Sequence, residues 1–535
     1  MDKKTILAIV LAFAVVLIFQ MFFVKPAPQQ PVPVEKGEKL AGSPAEKAQQ
    51  IPAAPVQAKA VLPTKTSIPA QDITVETPLY SAVFTTRGAA LKSFKLKDYR
   101  QTLAANSPLV ELVDVKAGMN PPLVVTFPDS SVIVSPDDMY KADTGSVSLA
   151  QGSDTQKITF SVSYPRGIRV EKIFTFYGDR YRCDLDVRVY NATALNLQEK
   201  AQLTWNQYVD PKAEEDSYGH AGPIYAIKND RDSSTVGKME ARKVLGPEVS
   251  WGAFESKYFI AALIPRQPSL TSLVLAKNEN DLVSVSLEGP NNIVPTEQSS
   301  LFSYSLYLGP KEYQSLKAEG IGLEDAIDFG SWIKWLALPL LISLNFLYTF
   351  IHNYGIAIIL LTIVIKIIFW PLGNKSYKSM KDMQKLQPLM NELKIKYKDD
   401  KQRLNQEVMQ LYKTRKINPL GGCLPMILQI PVFFGLYKAL LYSIELRHQP
   451  FVWWIQDLSA KDPYYITPII MGATMFWQQK MTPAVGDPMQ QKVMLLMPVV
   501  FTFLFLNFPS GLVIYWLFNN ILSIGQQYYI NKKMT

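Results

Sequence analysis

The sequence holds few of the residues from which metal and nucleophile sites are commonly built. Its 535 residues include two cysteines and three histidines. Cys183 and Cys423 lie in different regions and neither has a metal-ligand spacing, so we expect no disulfide and no metal site. The sequence also lacks a P-loop, an H-E-x-x-H motif and a G-x-S-x-G motif, the commonest signals of nucleotide, zinc and serine hydrolases. We therefore expect a protein that is not an enzyme and has no cofactor.

Acidic residues are missing from the long apolar runs in the last third of the chain. We predict that these runs are membrane-spanning helices. They cover residues 354–372, 420–442, 465–481, 493–508 and 511–529. An intramembrane hydrolase would need a carboxylate pair or a Ser–His set within its spans, so the composition of these runs argues against that class.

Lys366 stands inside the run 354–372, YGIAIILLTIVIKIIFWPL, and no other run offers it a carboxylate. A cation at the bilayer centre costs roughly 2.5–3.5 kcal/mol on insertion scales, which favours a functional role. The missing anion would then belong to a substrate. Alternatively, Lys366 lies about 9 Å from the end of the run at Leu372, so its ammonium could extend to the lipid headgroups. This residue alone leaves both interpretations open.

The chain before these runs is organised differently. Residues 1–24 are MDKK followed by an apolar stretch without a small-residue cleavage site, which predicts an uncleaved signal anchor with a cytoplasmic N-terminus; signal cleavage is the alternative. Residues 25–70 are rich in Pro, Ala and Gln, which predicts a disordered linker. From 71 to 320, alternating segments such as KITFSVSYP and RCDLDVRVYN predict a large all-β sandwich outside the cytoplasm.

Residues 321–350 combine leading acidic residues with Trp332, Trp335 and a Leu-rich stretch, which predicts an amphipathic helix in the membrane interface. The five spans follow within 351–535, so the anchor brings the total to six and both termini lie in the cytoplasm. Charge supports this topology, because basic loops face the cytoplasm. The loop 373–419 has twelve Lys and Arg against five Asp and Glu, whereas 443–464 has two against three.

The basic loop 373–419 is itself predicted to be a helical hairpin. Apolar residues recur at three- and four-residue spacing on both sides of the turn 398–401, and Pro388 is expected to kink the first arm. The basic side chains Lys394, Lys396 and Lys398 lie at the end of this arm. Their charge is either a positive-inside anchor or a contact for anionic lipid or ribosomal RNA, with no specific nucleic-acid sequence.

Polar side chains also occur inside the spans. They are Thr362, Gln429, Trp516, Asn520, Ser523 and Gln527. Thr362 lies one helical turn before Lys366, and the last four follow helical spacing as a stripe. Polar groups in spans commonly hold helices together, but a stripe of four beside a lone lysine suggests a hydrated cavity open to the cytoplasm. The spans 465–481 and 493–508 are also short, which would thin the surrounding bilayer.

Several long segments resemble the YidC family of bacterial membrane protein insertases, which has relatives of the Oxa and Alb type. These segments are NPLGGCLPMILQIPVFFGLYKAL, DLSAKDPYYITPIIMGATMFWQQKM and DPMQQKVMLLMPVVFTFLFLNFPSGLVIYW. The resemblance is close over about 323–529, and the anchor with the β domain looks more loosely like the Gram-negative form of the family. It implies a multi-pass protein of the bacterial inner membrane with a periplasmic β domain.

The resemblance also implies a mechanism. A hydrophilic groove receives the polar tail of a client protein, and the cation of the family, usually arginine, falls on Lys366. Trp516 stands where many relatives have tyrosine. The transmembrane part of the client would slide out past the third and fifth spans, along Ile430, Pro431, Phe433 and Phe505. Implied partners are nascent integral membrane proteins, the Sec translocon with its accessory subunits, the ribosome and the lipid bilayer.

Two other functions stay open at this point. A channel or transporter could use Lys366 as an ion or substrate site, although the internal repeats and matched ion pairs common in transporters are not visible in the sequence. A folding chaperone that acts beside the Sec translocon would share the features of an insertase. The residues alone do not separate the insertase from the chaperone.

Overall fold

The computed structural model describes residues 69–152, 154–210, 219–278, 280–330, 332–398, 400–415, 424–482 and 488–533. The predicted signal anchor, nearly all of the predicted linker and Cys423 lie outside the described residues. Within them, the chain forms mainly β-strands up to residue 310 and mainly helices beyond it. The predicted division into a β-rich part and a helical C-terminal part is therefore confirmed.

The β-rich part contains 21 strands within the described residues. They are β1 (Asp72–Glu76), β2 (Tyr80–Thr85), β3 (Ala90–Arg100), β4 (Leu109–Glu111), β5 (Val124–Thr126), β6 (Lys141–Ala142), β7 (Ser146–Ser148), β8 (Thr155–Tyr164), β9 (Ile168–Tyr177), β10 (Arg182–Asn191), β11 (Leu197–Glu199), β12 (Gln202–Tyr208), β13 (Gly222–Ile227), β14 (Asp230–Ser233), β15 (Arg242–Leu245), β16 (Val249–Glu255), β17 (Phe259–Pro265), β18 (Ser272–Lys277), β19 (Leu282–Glu288), β20 (Asn292–Val294) and β21 (Gln298–Pro310). A nine-stranded sheet has the order β14-β13-β16-β17-β21-β10-β9-β8-β6. Two five-stranded sheets have the orders β4-β3-β2-β1-β7 and β15-β18-β19-β12-β5, and β11 pairs with β20.

Alternation in the sequence explains the middle of the nine-stranded sheet. In β10, Cys183, Leu185, Val187 and Val189 are buried, and the residues between them are partly exposed. β10 pairs antiparallel with β9 on one side and β21 on the other. Buried side chains from all three large sheets form one core, because each sheet turns an apolar face inward.

The helical part contains nine α-helices within the described residues. They are α1 (Tyr313–Ala318), α2 (Lys334–Ile351), α3 (Tyr354–Lys385), α4 (Gln387–Lys396), α5 (Lys401–Thr414), α6 (Leu424–Tyr442), α7 (Ile466–Met481), α8 (Pro488–Phe505) and α9 (Ser510–Lys533). By length and composition, α2 and α3 could each cross a membrane, and Met494–Phe505 is a shorter apolar stretch. The helix α2, which was predicted to lie in the interface, is thus as able as α3 to cross a membrane by length and composition. The helix α3 also continues well past residue 372, where its span was predicted to end.

The basic hairpin consists of the end of α3 with α4 in one arm and α5 in the other. The first arm breaks at Leu386, and Pro388 lies in the first turn of α4, where a missing N–H is tolerated. Met383, Leu386 and Tyr412 are buried together in the hairpin. The Tyr412 hydroxyl also donates to Met390 Sδ at 3.3 Å. The predicted apolar seam is confirmed at these residues.

The remaining helices pack as a bundle beside the β-rich part. The helix α9 contacts both α3 and α7, and α2 contacts α6 and α3. One buried apolar cluster joins residues of the nine-stranded sheet, such as Trp251, to helix residues such as Leu340 and Leu512. The two parts of the chain therefore share a continuous apolar contact.

Polar contacts also hold the helical part together and tie it to the β-rich part. Lys438 of α6 places its Nζ 3.0 Å from the Oδ2 of Asp328, which lies just before α2. Burial alone would raise the pKa of Asp328, but the nearby Lys438 ammonium holds that pKa below its usual range. Arg447, which follows α6, donates from Nη2 to the carbonyl oxygens of Arg100 at 2.5 Å and Gln101 at 3.2 Å.

Candidate functional site

Lys366 lies in the contact between α3 and α9. Its Nζ donates to Ser523 Oγ at 2.6 Å and to Asn519 Oδ1 at 3.2 Å. Asn519 and Ser523 are one helical turn apart on α9, so both side chains face the same point of α3. In the part of the chain that the structure describes, no carboxylate pairs with Lys366. The ammonium therefore meets neutral oxygen atoms.

The predicted polar stripe of α9 is divided between two neighbouring helices. Ser523 faces Lys366 on α3, whereas Asn520 Nδ2 donates to Thr474 Oγ1 on α7 at 3.4 Å. Gln527 Nε2 donates to the carbonyl oxygen of Met481, the last residue of α7, at 2.8 Å. Neighbouring residues of a helix point about 100° apart, so a single stripe becomes two once a helix packs on each side.

Thr362 and Gln429 do not share these contacts. The Thr362 hydroxyl is buried and donates to the carbonyl oxygen of Ile358 in its own helix, at 2.7 Å. Gln429 is half-buried on α6 next to Ile430 and Pro431, and Pro431 interrupts the hydrogen bonding of α6 from within. A direct contact of Thr362 with the Lys366 ammonium is therefore not part of the described geometry.

Trp516 lies in an aromatic cluster. Its ring centroid is 4.8 Å from that of Phe433 on α6, 5.3 Å from that of Phe505 and 5.9 Å from that of Phe501, both on α8. Two of the four residues expected along the client path, Phe433 and Phe505, thus meet at Trp516. Ser523 is seven residues farther along α9, which places the cluster roughly 10 Å along the helix axis from the Lys366 contact.

Two residues that matter to this site were missed in the sequence analysis. Asn519 is a direct partner of Lys366, and Gln526 bonds α3 one turn farther along, through the carbonyl oxygen of Trp370 at 3.2 Å and Asn374 Oδ1 at 3.0 Å. Both residues are buried. The spacing 519, 523, 526 is as regular for a helix as that of the predicted stripe, so the sequence holds a signal for these residues.

Lys438 is a second lysine within a predicted span, and it was not among the predicted site residues. Its side chain is nearly buried, and its Nζ lies 3.0 Å from Asp328 Oδ2 and 3.2 Å from the Asp328 carbonyl oxygen. Asp328 lies outside the apolar runs, so the composition of those runs gives no sign of this partner. Lys366 therefore differs from Lys438 in lacking a described carboxylate partner.

The three lysines of the basic hairpin lie at the end of α4. Lys394 is half-buried, whereas Lys396 and Lys398 are exposed. The Lys396 ammonium lies 5.4 Å from the ring centroid of Tyr397, and none of the three forms an ion pair within the described residues. Their charge is thus presented to solvent or to a partner.

The β-rich part has a cavity of about 230 Å³ on the outer face of the sheet that contains β12 and β19. Its lining is mainly neutral: Thr204, Asn206, Ser284 and Ser286 line it, with Arg242 as its one charged side chain. Among the described residues, no group of three or more His, Cys, Asp or Glu side chains is placed to hold a metal ion. Neither observation adds a catalytic set to the chain.

Comparison with known proteins gives matches over nearly the whole chain. Two family models match, one described as 60Kd inner membrane protein over residues 346–535 and one as YidC periplasmic domain over residues 72–343. A membrane protein insertase YidC from Syntrophus aciditrophicus (strain SB) is 62% identical over 543 residues, which are 100% of both chains. The protein of the same name from Citrifermentans bemidjiense is 44% identical over 541 residues, 99% of each chain.

A crystal structure of an active YidC insertase aligns over 88% of this chain and 95% of that chain, at 20% identity and a TM-score of 0.37, and the assignment does not depend on it. The full-length identity and the two family models define an inner-membrane protein with a β-rich periplasmic domain and a helical C-terminal region. The chain belongs to the YidC family of membrane protein insertases.

Proposed function

We propose that this protein inserts newly made integral membrane proteins into the bacterial inner membrane by receiving their polar segments beside Lys366. The observation that carries the proposal is the geometry of that lysine, whose ammonium meets two neutral oxygens and no described carboxylate. An ammonium has three N–H donors. Two are used by Ser523 and Asn519, so the third can bind an oxygen atom of a client.

The neutral partners of Lys366 are suited to a transient contact between this lysine and a client. A resident carboxylate would neutralise Lys366, and an arriving acidic segment would then have to displace it. Against Ser523 and Asn519 the lysine keeps its attraction for anions, which is stronger where water is scarce. The client is released when its apolar segment moves into lipid and the polar segment passes onward.

The aromatic cluster at Trp516 supports the proposed exit path. The client's transmembrane segment would pass α6 and α8, along Ile430, Pro431, Phe433 and Phe505. Phe433 and Phe505 lie against Trp516, about 10 Å along α9 from the Lys366 contact. Polar and apolar portions of a client would thus find matching surfaces at different depths.

We propose a topology of six spans with both termini in the cytoplasm. The chain then has an anchor at 1–24, a linker at 25–70, a periplasmic domain at 71–320 and an insertase core at 351–535.

The position of α2 bears on this topology. Only residues 352 and 353 separate α2 from α3. If α2 crossed the membrane from the periplasm, the loop 373–419 with its twelve basic residues would become periplasmic, against the positive-inside rule. An interfacial position for 321–350 avoids this conflict.

The exposed side chains of α2 fit that position. Ala337, Leu341 and Leu344 are buried against the rest of the protein, while Trp335 is 69% exposed and Phe350 is 70% exposed. Tryptophan prefers the headgroup level of a bilayer. The helix therefore has one face for the protein and one for the membrane surface.

We propose the ribosome and the Sec translocon with its accessory subunits as partners, alongside nascent clients and the lipid bilayer. The solvent-facing Lys396 and Lys398 support a contact with ribosomal RNA through its phosphates, without reading a specific nucleic-acid sequence. The same charge also suits anionic lipid headgroups.

The test of the proposed function uses the full-length protein in proteoliposomes and a client with an acidic translocated tail. Lys366→Arg should keep insertion. Lys366→Ala should reduce it about 10- to 150-fold, since a hydrogen bond to a charged group contributes about 1.5–3 kcal/mol. The matched control is the same client with Asn in place of Asp, whose insertion should fall much less.

Lys366→Glu should impair the acidic client further by repulsion. Full insertion of that client by the Glu variant would contradict the electrostatic role. Ion flux through empty vesicles that depends on Lys366 would instead favour a channel or transporter. If the Lys366 variants insert the client normally but the inserted client is misfolded, a chaperone would be favoured.

A further inference from the structure

Two consecutive glutamines on α9 bond two different helices. Gln526 Nε2 donates to the Trp370 carbonyl oxygen at 3.2 Å and to Asn374 Oδ1 at 3.0 Å, both on α3. Gln527 Nε2 donates to the Met481 carbonyl oxygen, at the end of α7, at 2.8 Å. The two side chains, called here the glutamine pair, are 3% and 1% exposed.

The local backbone explains why side-chain amides are placed here. Met481 ends α7, and the last carbonyl groups of a helix have no partner within it. On α3, Gln526 contacts a carbonyl oxygen and a side-chain amide on either side of Pro371. An amide from α9 thus bonds a terminal carbonyl of α7 and a backbone and side-chain acceptor of α3.

The approach of α3 to Gln526 is close. A Cβ added to Gly373 would lie 2.7 Å from Gln526 Nε2, so a larger residue does not fit without a shift. Glycine at this position permits the backbone of α3 to lie against the amide. The Gln526 amide therefore packs directly against the backbone of α3 at Gly373.

Because successive residues of a helix point about 100° apart, one turn of α9 holds α3 and α7 at the same time. Trp370 and Asn374 lie one and two turns after Lys366 on α3, and Ser523 lies about one turn before the glutamine pair. The pair is thus on the side of Lys366 from which the basic hairpin emerges. Under the proposed function, a polar client segment that arrives from that side would pass these helices on its way to Lys366.

We infer that Gln526 and Gln527 are positioning residues that set the spacing of α3 and α7 at the end next to the basic hairpin, and thereby the width of the entry to Lys366. The entry role rests on the proposed function, whereas the spacing role does not. Neither glutamine touches Lys366 in the described contacts. Their effect on a client is therefore exerted through helix position.

The experiment measures the spacing directly in the full-length protein in nanodiscs. Spin labels are placed by Lys378→Cys on α3 and Lys480→Cys on α7, both exposed positions, in a Cys423→Ser background. Cys183 is buried in the core and is not labelled. Pulsed electron resonance then gives the distance distribution between α3 and α7.

Gln526→Leu and Gln527→Leu keep the approximate side-chain size and remove the donor. Each should lengthen or broaden the distance distribution, and the double variant should do so more. Gln526→Asn keeps an amide and should therefore change the distances less than Gln526→Leu does. An effect of side-chain volume alone would not require this order. Tyr528→Leu changes the next residue, which is 64% exposed, and should leave the distances unchanged. Unchanged distances in a folded double variant would overturn the spacing role.

Insertion assays on the same variants test the entry role. Clients with long polar tails should insert several-fold more slowly or more quickly, whereas clients with short tails should be much less affected. Changed distances with unchanged insertion of both clients would overturn the entry role. The Lys366→Ala variant is assayed in parallel. If it inserts acidic-tailed clients normally, the proposed function is wrong. The distance measurement still decides the role of the glutamine pair.

Discussion

From the burial of Lys172 on β9 we predict how the stability of the β-rich part depends on pH. The side chain is fully buried, and its Nζ donates to the carbonyl oxygens of Gly88 at 2.6 Å and of Ala89 and Leu123 at 3.3 Å each. No carboxylate forms an ion pair with it in the described ranges. Burial lowers the pKa of Lys172 from 10.5 to about 7, because removing an ammonium from water disfavours its charged form.

Between these two pKa values, the unfolded chain holds a proton on Lys172 that the folded chain has largely lost. Unfolding then takes up a proton, so the free energy of unfolding rises with pH, by at most about 1.4 kcal/mol per pH unit. From about pH 7.5 to about pH 9.5 the gain is about 2.5 kcal/mol. This is an upper value, since the three carbonyl acceptors favour the charged ammonium. Burial also raises the pKa of the Cys183 thiol above its ordinary value of 9, which gives a smaller slope of opposite sign at the upper end of this range.

The free energy of unfolding stops rising at high pH for a separate reason. Burial raises the pKa of Tyr140 and Tyr164 above the ordinary value of 10. The unfolded chain therefore loses these tyrosine protons first, and stability falls as the pH rises past about 10. The slope due to Lys172 is best measured below that point.

The measurement is urea unfolding of the β-rich part in the detergent-solubilised full-length protein, detected by pulse proteolysis at several pH values. Lys172→Met removes the titrating group and leaves three carbonyl groups without their donor, which lowers stability at every pH. The slope with pH isolates the charge, and it should be much smaller in this variant. Lys157→Met, at an exposed position of β8, should keep the wild-type slope. Equal slopes in wild type and Lys172→Met would refute the reasoning.

Two further predictions concern the hairpin and the β-rich part. Replacing Lys394, Lys396 and Lys398 by Gln should weaken binding of translating ribosomes in detergent and reduce its salt dependence, because fewer counterions are released; unchanged affinity and salt slope would leave these lysines as a positive-inside anchor. Deleting about 74–303 while keeping the anchor should leave insertion of simple clients intact but lower the thermal stability of the bundle, because Arg447 loses its carbonyl partners. A stable, inactive deletion protein would show that the β-rich part belongs to the mechanism.

Local patterns in the sequence were sufficient to predict the main divisions of this protein. The alternation in RCDLDVRVYN predicts a strand with one buried face, and β10 has that face. The three- and four-residue spacing in 383–412 predicts the seam of the hairpin, which Met383 and Tyr412 form. Both patterns depend on neighbours in the sequence, since the side-chain direction of a strand or helix repeats every two or about 3.6 residues. Lys366 was likewise noticeable because its surroundings are apolar.

The partners of these side chains were decided by tertiary structure. The helix α9 has two equally regular polar stripes, and only the packing of α3 on one side and α7 on the other assigns Ser523 to Lys366 and Asn520 to Thr474. The pairing of Lys438 with Asp328 joins residues 110 positions apart. Periodicity states which residues share a face, but it holds no information about which distant segment covers that face. That choice depends on the packing of the whole chain, which brings an acceptor to Lys366 and a carboxylate to Lys438.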